Sequence, residues 1–207
     1  MMRIYILLLC LVALKTYAQD DPFKTGRYYD KKGKMVTGFI DLSEVLRNTL
    51  RYKPTLNGVV EGLRASALKG FVVESDSFIM IRNFVVESTY SNSYSNTVGL
   101  GLGRVLETGK VVLYQVYYTD RGGTGGYYYS PSYSSGLNKA LRNTFLVRQD
   151  GSNKVMEAEM GIDDFVKQMT EYFRMSPEIC EKIKAKEYSY LKVQQLVKDF
   201  NEWHRNR

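Results

Sequence analysis

The chain has 207 residues, 29 Lys and Arg against 22 Asp and Glu, one histidine, two cysteines and 17 tyrosines. So few histidines and cysteines exclude a zinc site built from several such ligands, and a lone imidazole at position 204 leaves Ser-His-Asp and Cys-His catalysis without a well-held base. The basic excess is mild and scattered, so the electrostatic footprint of a nucleic-acid-binding domain is missing.

Residues 1–18 read as a secretory signal peptide. Arg3 supplies the positive n-region, residues 4–14 form an unbroken apolar run, and Thr16-Tyr17-Ala18 ends on the small residue that a signal peptidase reads. Eleven apolar residues cover only about half of the roughly 20 that a transmembrane helix needs, and Lys15 closes the run. Cys10 lies inside that run and reads as apolar filler, not as a lipid acceptor. Cleavage after Ala18 leaves Gln19 first and takes away Arg3 and Lys15. Lys and Arg then fall from 29 to 27 against 22 acids, a net charge of +5. The expectation is export across the inner membrane, to the periplasm, the outer-membrane periphery or the exterior. No second stretch reaches spanning length, so the mature protein is expected to be soluble or peripherally attached.

The 189 residues from 19 to 207 suit one domain without disulfide staples. They divide into a β-rich part, 25–157, and a helical part, 162–204, which predicts an α+β fold with a mainly antiparallel sheet. Residues 25–30 and 35–42 are extended runs joined by Lys31-Lys32-Gly33-Lys34, a hairpin signal with glycine where positive φ is needed. Further strands are predicted at 49–53, 70–74, 77–84, 105–106 and 110–118. Asp150-Gly151 marks a second hairpin between 143–149 and 154–157.

Three helices follow. Ile162, Phe165, Val166, Met169, Tyr172 and Phe173 fall on one stripe, with Asp163 and Asp164 in the first turn, where the helix dipole favours acids. Ser176-Pro177-Glu178 reads as N-cap, N1 proline and N2 acid of a short second helix. It carries Cys180, the only cysteine of the mature chain, between Ile179 and Ile183, which predicts burial. Val193, Leu196, Val197, Phe200 and Trp203 make the third stripe, and His204, Arg205 and Arg207 suit its C-terminal end.

Two segments lack apolar periodicity: 88–97, mostly Ser, Tyr and Asn, and 122–136, mostly Gly, Tyr and Ser. Both are expected to be mobile loops. They bear Tyr90 and Tyr94 in the first and Tyr127, Tyr128, Tyr129 and Tyr133 in the second. Tyrosine among Ser, Gly and Asn is the composition of binding loops, since the ring offers broad contact at low entropic cost and the hydroxyl takes a hydrogen bond. These six tyrosines are the candidate ligand-binding residues; the plainer alternative is that they fold back on the sheet edge.

Other motifs point to structure. Gly99-Leu100-Gly101-Leu102-Gly103 lacks the spacing and the following Lys-Ser/Thr of a phosphate-binding loop and reads as a flexible lead-in to a strand. Asp163-Asp164 and Asp20-Asp21 read as capping or solvated charge and not as a glycosidase pair. Asp150-Gly151-Ser152-Asn153 is too short for an EF-hand loop and reads as a turn. No metal, cofactor or catalytic residue is expected.

Several of these segments also resemble a group of uncharacterised secreted proteins widespread in Bacteroidota. Gly38-Phe39-Ile40 is similar to that group's Gly-aromatic-Ile strand, and Gly70-Phe71 followed by Phe78 to its Gly-Phe turn. The run Val105-Leu106-Glu107-Thr108-Gly109-Lys110-Val111-Val112-Leu113-Tyr114 resembles its Val-Leu, Gly, Leu-Tyr hairpin. Leu196-Val197 with Phe200-Asn201 resembles its closing helix, where the group more often has Tyr-Asn. The two tyrosine segments depart from its pattern, and the resemblance carries no activity with it. The leading expectation is a non-catalytic exported module that binds an envelope glycan or protein. The alternatives are a hydrolase or transferase working through Ser with Lys or paired carboxylates, and a structural envelope protein.

Overall fold

Alternating apolar and polar residues, punctuated by Asp, Asn and Gly turns, produce strands that pair with their neighbours in antiparallel register. The computed structural model describes residues 21–87, 95–119 and 141–207. In chain order the strands are β1 (Lys24–Tyr29), β2 (Met35–Asp41), β3 (Thr49–Lys53), β4 (Glu61–Arg64), β5 (Gly70–Val73), β6 (Asp76–Glu87), β7 (Ser95–Glu107), β8 (Val111–Thr119), β9 (Leu141–Gln149) and β10 (Met156–Glu157). They form one ten-stranded sheet in the order β10-β9-β8-β7-β6-β5-β1-β2-β3-β4. Three helices follow, α1 (Ile162–Tyr172), α2 (Pro177–Lys184) and α3 (Val193–Arg205), so the fold is α+β with the sheet taking most of the chain. The expected signal peptide lies outside the described residues.

The β1–β2 turn forms as its sequence demands. Gly33 has φ +86°, and one carboxylate oxygen of Asp30 accepts from the backbone N–H groups of Lys32 and Lys34, both at 2.8 Å.

The sheet curls twice, in opposite senses. If flat, it would hold β4 and β5 about 19 Å apart, four strand spacings of roughly 4.8 Å. Residues 65–69 must join them, and Ala65–Ala67 form a 3-10 turn, which rises only about 2 Å per residue. The link falls short of a flat span, so strands β5-β1-β2-β3-β4 curl. Their concave face encloses Ile40, Leu50, Tyr52, Phe71, Val73 and Phe78. Asn48, in the left-handed region at φ +67°, binds the crossing link by accepting from Ala65 N at its carbonyl and from Ser66 N at its side chain.

Strands β6 to β10 curl around the other face, and β10 packs back against β6. The enclosed cluster includes Ile81, Phe84, Val86, Tyr114, Val116 and Leu146. Ile81 and Phe84 share this cluster although their parity differs, because Asn83 between them adopts φ +50° and reverses the alternation. Gly101 and Gly103 lie opposite the same side chains. A Cβ at Gly101 would sit 2.7 Å from a Val116 methyl and 2.8 Å from the Phe84 ring, and one at Gly103 2.8 Å from the Ile81 terminal methyl. The Gly-Leu-Gly-Leu-Gly run is therefore the packed middle of a 13-residue strand and not a lead-in.

The helices cover the outer face of this second curl. Phe165, Met169, Phe173, Ile183, Leu196 and Phe200 pack on Val111, Leu113 and Val147. β8 is consequently buried on both faces. Of the α1 stripe, Phe165, Met169 and Phe173 are fully buried and Val166 and Tyr172 partly so, whereas Ile162, the first helical residue, is 40% exposed. Ser176 caps α2 as expected, its hydroxyl accepting from Ile179 N. Cys180 is buried, with its sulfur 3.4 Å from the Phe173 carbonyl, and burial pushes its thiol pKa up.

Two strands run well beyond their expected bounds, and one strand was not expected. β6 runs on to Glu87 and β7 begins at Ser95, so residues 95–97 are strand and not loop. β4, with the sequence Glu-Gly-Leu-Arg, carries no β-branched or aromatic signal and forms through its pairing with β3.

Candidate binding end of the sheet

Antiparallel pairing sends alternate connections to opposite ends of a sheet. β6 and β7 part at the Glu87↔Ser95 pair, and β8 and β9 part at the Thr119↔Leu141 pair. Both connections leave from the same end, on adjacent hairpins. The β7–β8 register, with Leu102 opposite Tyr117, places the Thr119 level five residues short of Ser95 along β7, or roughly 17 Å of strand rise. The strands beneath are held firmly. Phe84 and Tyr118 meet edge-to-face at 5.8 Å, and both are buried. The candidate residues Tyr90, Tyr94, Tyr127, Tyr128, Tyr129 and Tyr133 fall in the two connections and lie outside the described residues.

A second polar locus sits where β9 meets α1. The Arg148 guanidinium lies 5.4 Å from the centre of the Tyr114 ring and acts electrostatically on the Tyr172 hydroxyl as well. Arg148 Nε and the Tyr172 hydroxyl are buried without a hydrogen-bond partner among the described residues. Burial pushes the Tyr172 pKa up to about 12, with Arg148 opposing the shift. No sequence signal links these two residues, which are 24 positions apart, although Tyr172 belongs to the apolar stripe of α1.

An open cleft of about 530 Å³ separates α2 from the end of α3, lined in part by Glu178, Lys182, Asp199, Trp203 and Arg207. Its charges are mixed and engaged. Asp199 accepts from the Tyr188 hydroxyl at 2.6 Å and from Gln195, and Arg207 stacks over Trp203 at 4.1 Å. Burial, followed by the bond to Asp199, raises the Tyr188 pKa.

Among the described residues, several side chains of the kinds a histidine-free hydrolase uses make structural bonds. Ser43 donates to Asp41, which also accepts from Arg51 at 2.6 Å. Ser152 closes the turn after β9, and Thr144 donates to Glu157 at 2.6 Å. Asp163 pairs with Lys186 on the surface. Gly151 has φ +78°, as a turn at Asp150-Gly151 requires. His204 is exposed in the last turn of α3. Among the described residues there is no group of three or more His, Cys, Asp or Glu placed to hold a metal, and no helix is long and apolar enough to cross a membrane.

Compared with known proteins, the chain matches no family model, no curated protein and no solved structure.

Proposed function

We propose that this is an exported, non-catalytic module of the kind widespread in Bacteroidota, binding a cell-envelope glycan or protein partner through the tyrosine-bearing connections that follow β6 and β8. One observation supports the reading most: the Glu87↔Ser95 and Thr119↔Leu141 pairs direct both connections to one end of the sheet, on neighbouring hairpins. Two tyrosine-rich segments rooted at one end of a sheet, on neighbouring hairpins of packed strands, are how a scaffold presents a paratope-like surface. The engagement of Ser43, Asp41, Asp163, Asp199 and Glu157 in local structure weighs against the hydrolase alternative.

The test compares the protein recovered from its producing cell with a Tyr127→Ser, Tyr128→Ser, Tyr129→Ser variant in binding to isolated cell envelopes. Loss of binding at an unchanged thermal midpoint supports the reading. Retained binding, or turnover of envelope glycan or ester substrates by the wild type, overturns it. N-terminal mass spectrometry of the same material should find Gln19 first, and a stable cytoplasmic product starting at Met1 would overturn the export part.

A further inference from the structure

Large apolar side chains left in water are common singly but informative when they gather. Four of the nine most exposed ones among the described residues belong to two hairpin tips: Met35 at 53%, Leu56 at 51%, Val59 at 83% and Val60 at 41%. The tips are neighbours. Phe39 pairs with Lys53, so residues 54–60, which join β3 to β4, set out alongside the N-terminal half of β2 towards Met35. Tyr52 reinforces that course by donating to the Thr37 carbonyl at 2.8 Å. Tyr28 meets Tyr52 edge-on at 5.1 Å and lies within electrostatic reach of both Asp30, which opens the first tip, and Glu61, which closes the second.

The charge around these aliphatics is mainly positive, with exposed Glu61 the acid that adjoins Val60. Residues 31–35 and 54–60 contain Lys31, Lys32 and Lys34 and no acid. Lys69 adds a fourth cation, its ammonium 3.2 Å from where a Cβ on Gly33 would stand. Asp30 is turned inward, its carboxylate accepting from the backbone of Lys32 and Lys34. A two-fold contact with a second copy would bring these lysines against each other, which disfavours self-association as the purpose of the patch. A lipid headgroup region satisfies both parts at once, since aliphatic tips enter the acyl boundary while ammonium groups meet phosphates.

We propose that the adjacent hairpin tips at residues 31–35 and 54–60 dock this protein on an anionic phospholipid surface, Leu56, Val59 and Val60 entering the interface and Lys31, Lys32 and Lys34 pairing with headgroup phosphates. This attachment goes beyond the binding role proposed above and uses none of the tyrosines.

Co-sedimentation tests it, with vesicles of phosphatidylglycerol mixed with phosphatidylcholine set against vesicles of phosphatidylcholine alone. Every variant carries the same N-terminus, so any contribution of the first twenty residues cancels in the ratio. The wild type should prefer the anionic vesicles and release in high salt. Lys31→Gln, Lys32→Gln, Lys34→Gln should weaken that binding on the order of a hundredfold, from about fivefold per lysine at a charged surface. Leu56→Ser, Val59→Ser, Val60→Ser should weaken it by at least about tenfold, with far-UV circular dichroism and thermal midpoint unchanged. The tyrosine triple variant should bind as the wild type does. Equal binding to the two vesicle types, binding indifferent to both hairpin variants, or lipid-free self-association abolished by the same substitutions would overturn the proposal.

Discussion

Asn201 on α3 and Val111 at the start of β8, 90 residues apart, exchange two hydrogen bonds in the core: Val111 N donates to the Asn201 side-chain oxygen at 2.9 Å, and the Asn201 amide donates to the Val111 carbonyl at 2.8 Å. The side chain thus behaves as a strand partner for Val111, which lies beyond the last β7–β8 pair, Glu107↔Leu113. Gly109 makes room for it, since a Cβ there would stand 2.6 Å from the Asn201 carboxamide carbon. Asn201→Ala strands a buried N–H and a buried C=O, and should cost about 2 to 4 kcal/mol in urea unfolding. Gly109→Ala should cost a similar amount by displacing the amide, and the double variant should be clearly less than additive. Full additivity would mean the two sites are not coupled.

The helical core has a graded stripe. Phe165→Ala and Phe173→Ala should each cost about 3 to 5 kcal/mol through lost burial and the cavity left behind. Ile162→Ala, at an exposed first turn, should fall within roughly 0.5 kcal/mol of wild type. Thermal or chemical denaturation of the three variants checks the order, and a cost at Ile162 equal to that at Phe165 would contradict it.

The glycines of β7 should separate by position. Gly101→Ala and Gly103→Ala each push a methyl into Val116, Phe84 or Ile81 and should cost about 1 to 3 kcal/mol by overpacking. A methyl added at Gly99 would meet nothing within 4 Å among the described residues, so Gly99→Ala should leave the denaturation midpoint nearly unchanged. A phosphate-binding role for the run would instead make all three indifferent to stability.

Alkaline unfolding should report on Tyr172. Its folded pKa of about 12 lies above the ordinary 10.0, so the folded protein holds the phenolic proton more tightly than the unfolded chain does. The stabilisation is complete below pH 10 and falls as pH rises through the window from 10 to about 12. Tyr172→Phe removes both the titrating group and an unpaired buried hydroxyl, so its denaturation midpoint should decline less steeply over that window. Tyr188, raised by burial and by its bond to Asp199, and Tyr28, Tyr52 and Tyr114, raised by burial, contribute decline that persists. An identical slope in wild type and variant would place the Tyr172 hydroxyl in water.

Local patterns were enough to define many elements from the amino-acid sequence alone. The β1–β2 hairpin, the Asp150-Gly151 turn, the Ser176 cap and the three helices follow from interactions within a few residues, which act the same whatever surrounds them. The burial of Cys180 was legible for the same reason, from its place between Ile179 and Ile183. Tertiary structure decided the rest. Whether Gly-Leu-Gly-Leu-Gly is a loop or a strand depends on Phe84, Ile81 and Val116 filling the space its glycines leave. β4 has no strand propensity and exists because β3 offers it an edge. The approach of Gly109 to Asn201, the reach of the Arg148 charge to the Tyr172 hydroxyl, and the gathering of Met35, Leu56, Val59 and Val60 all depend on how a single sheet curls twice. That curling is set by strand register and short links between distant pairs, and no local pattern in the chain encodes those distances.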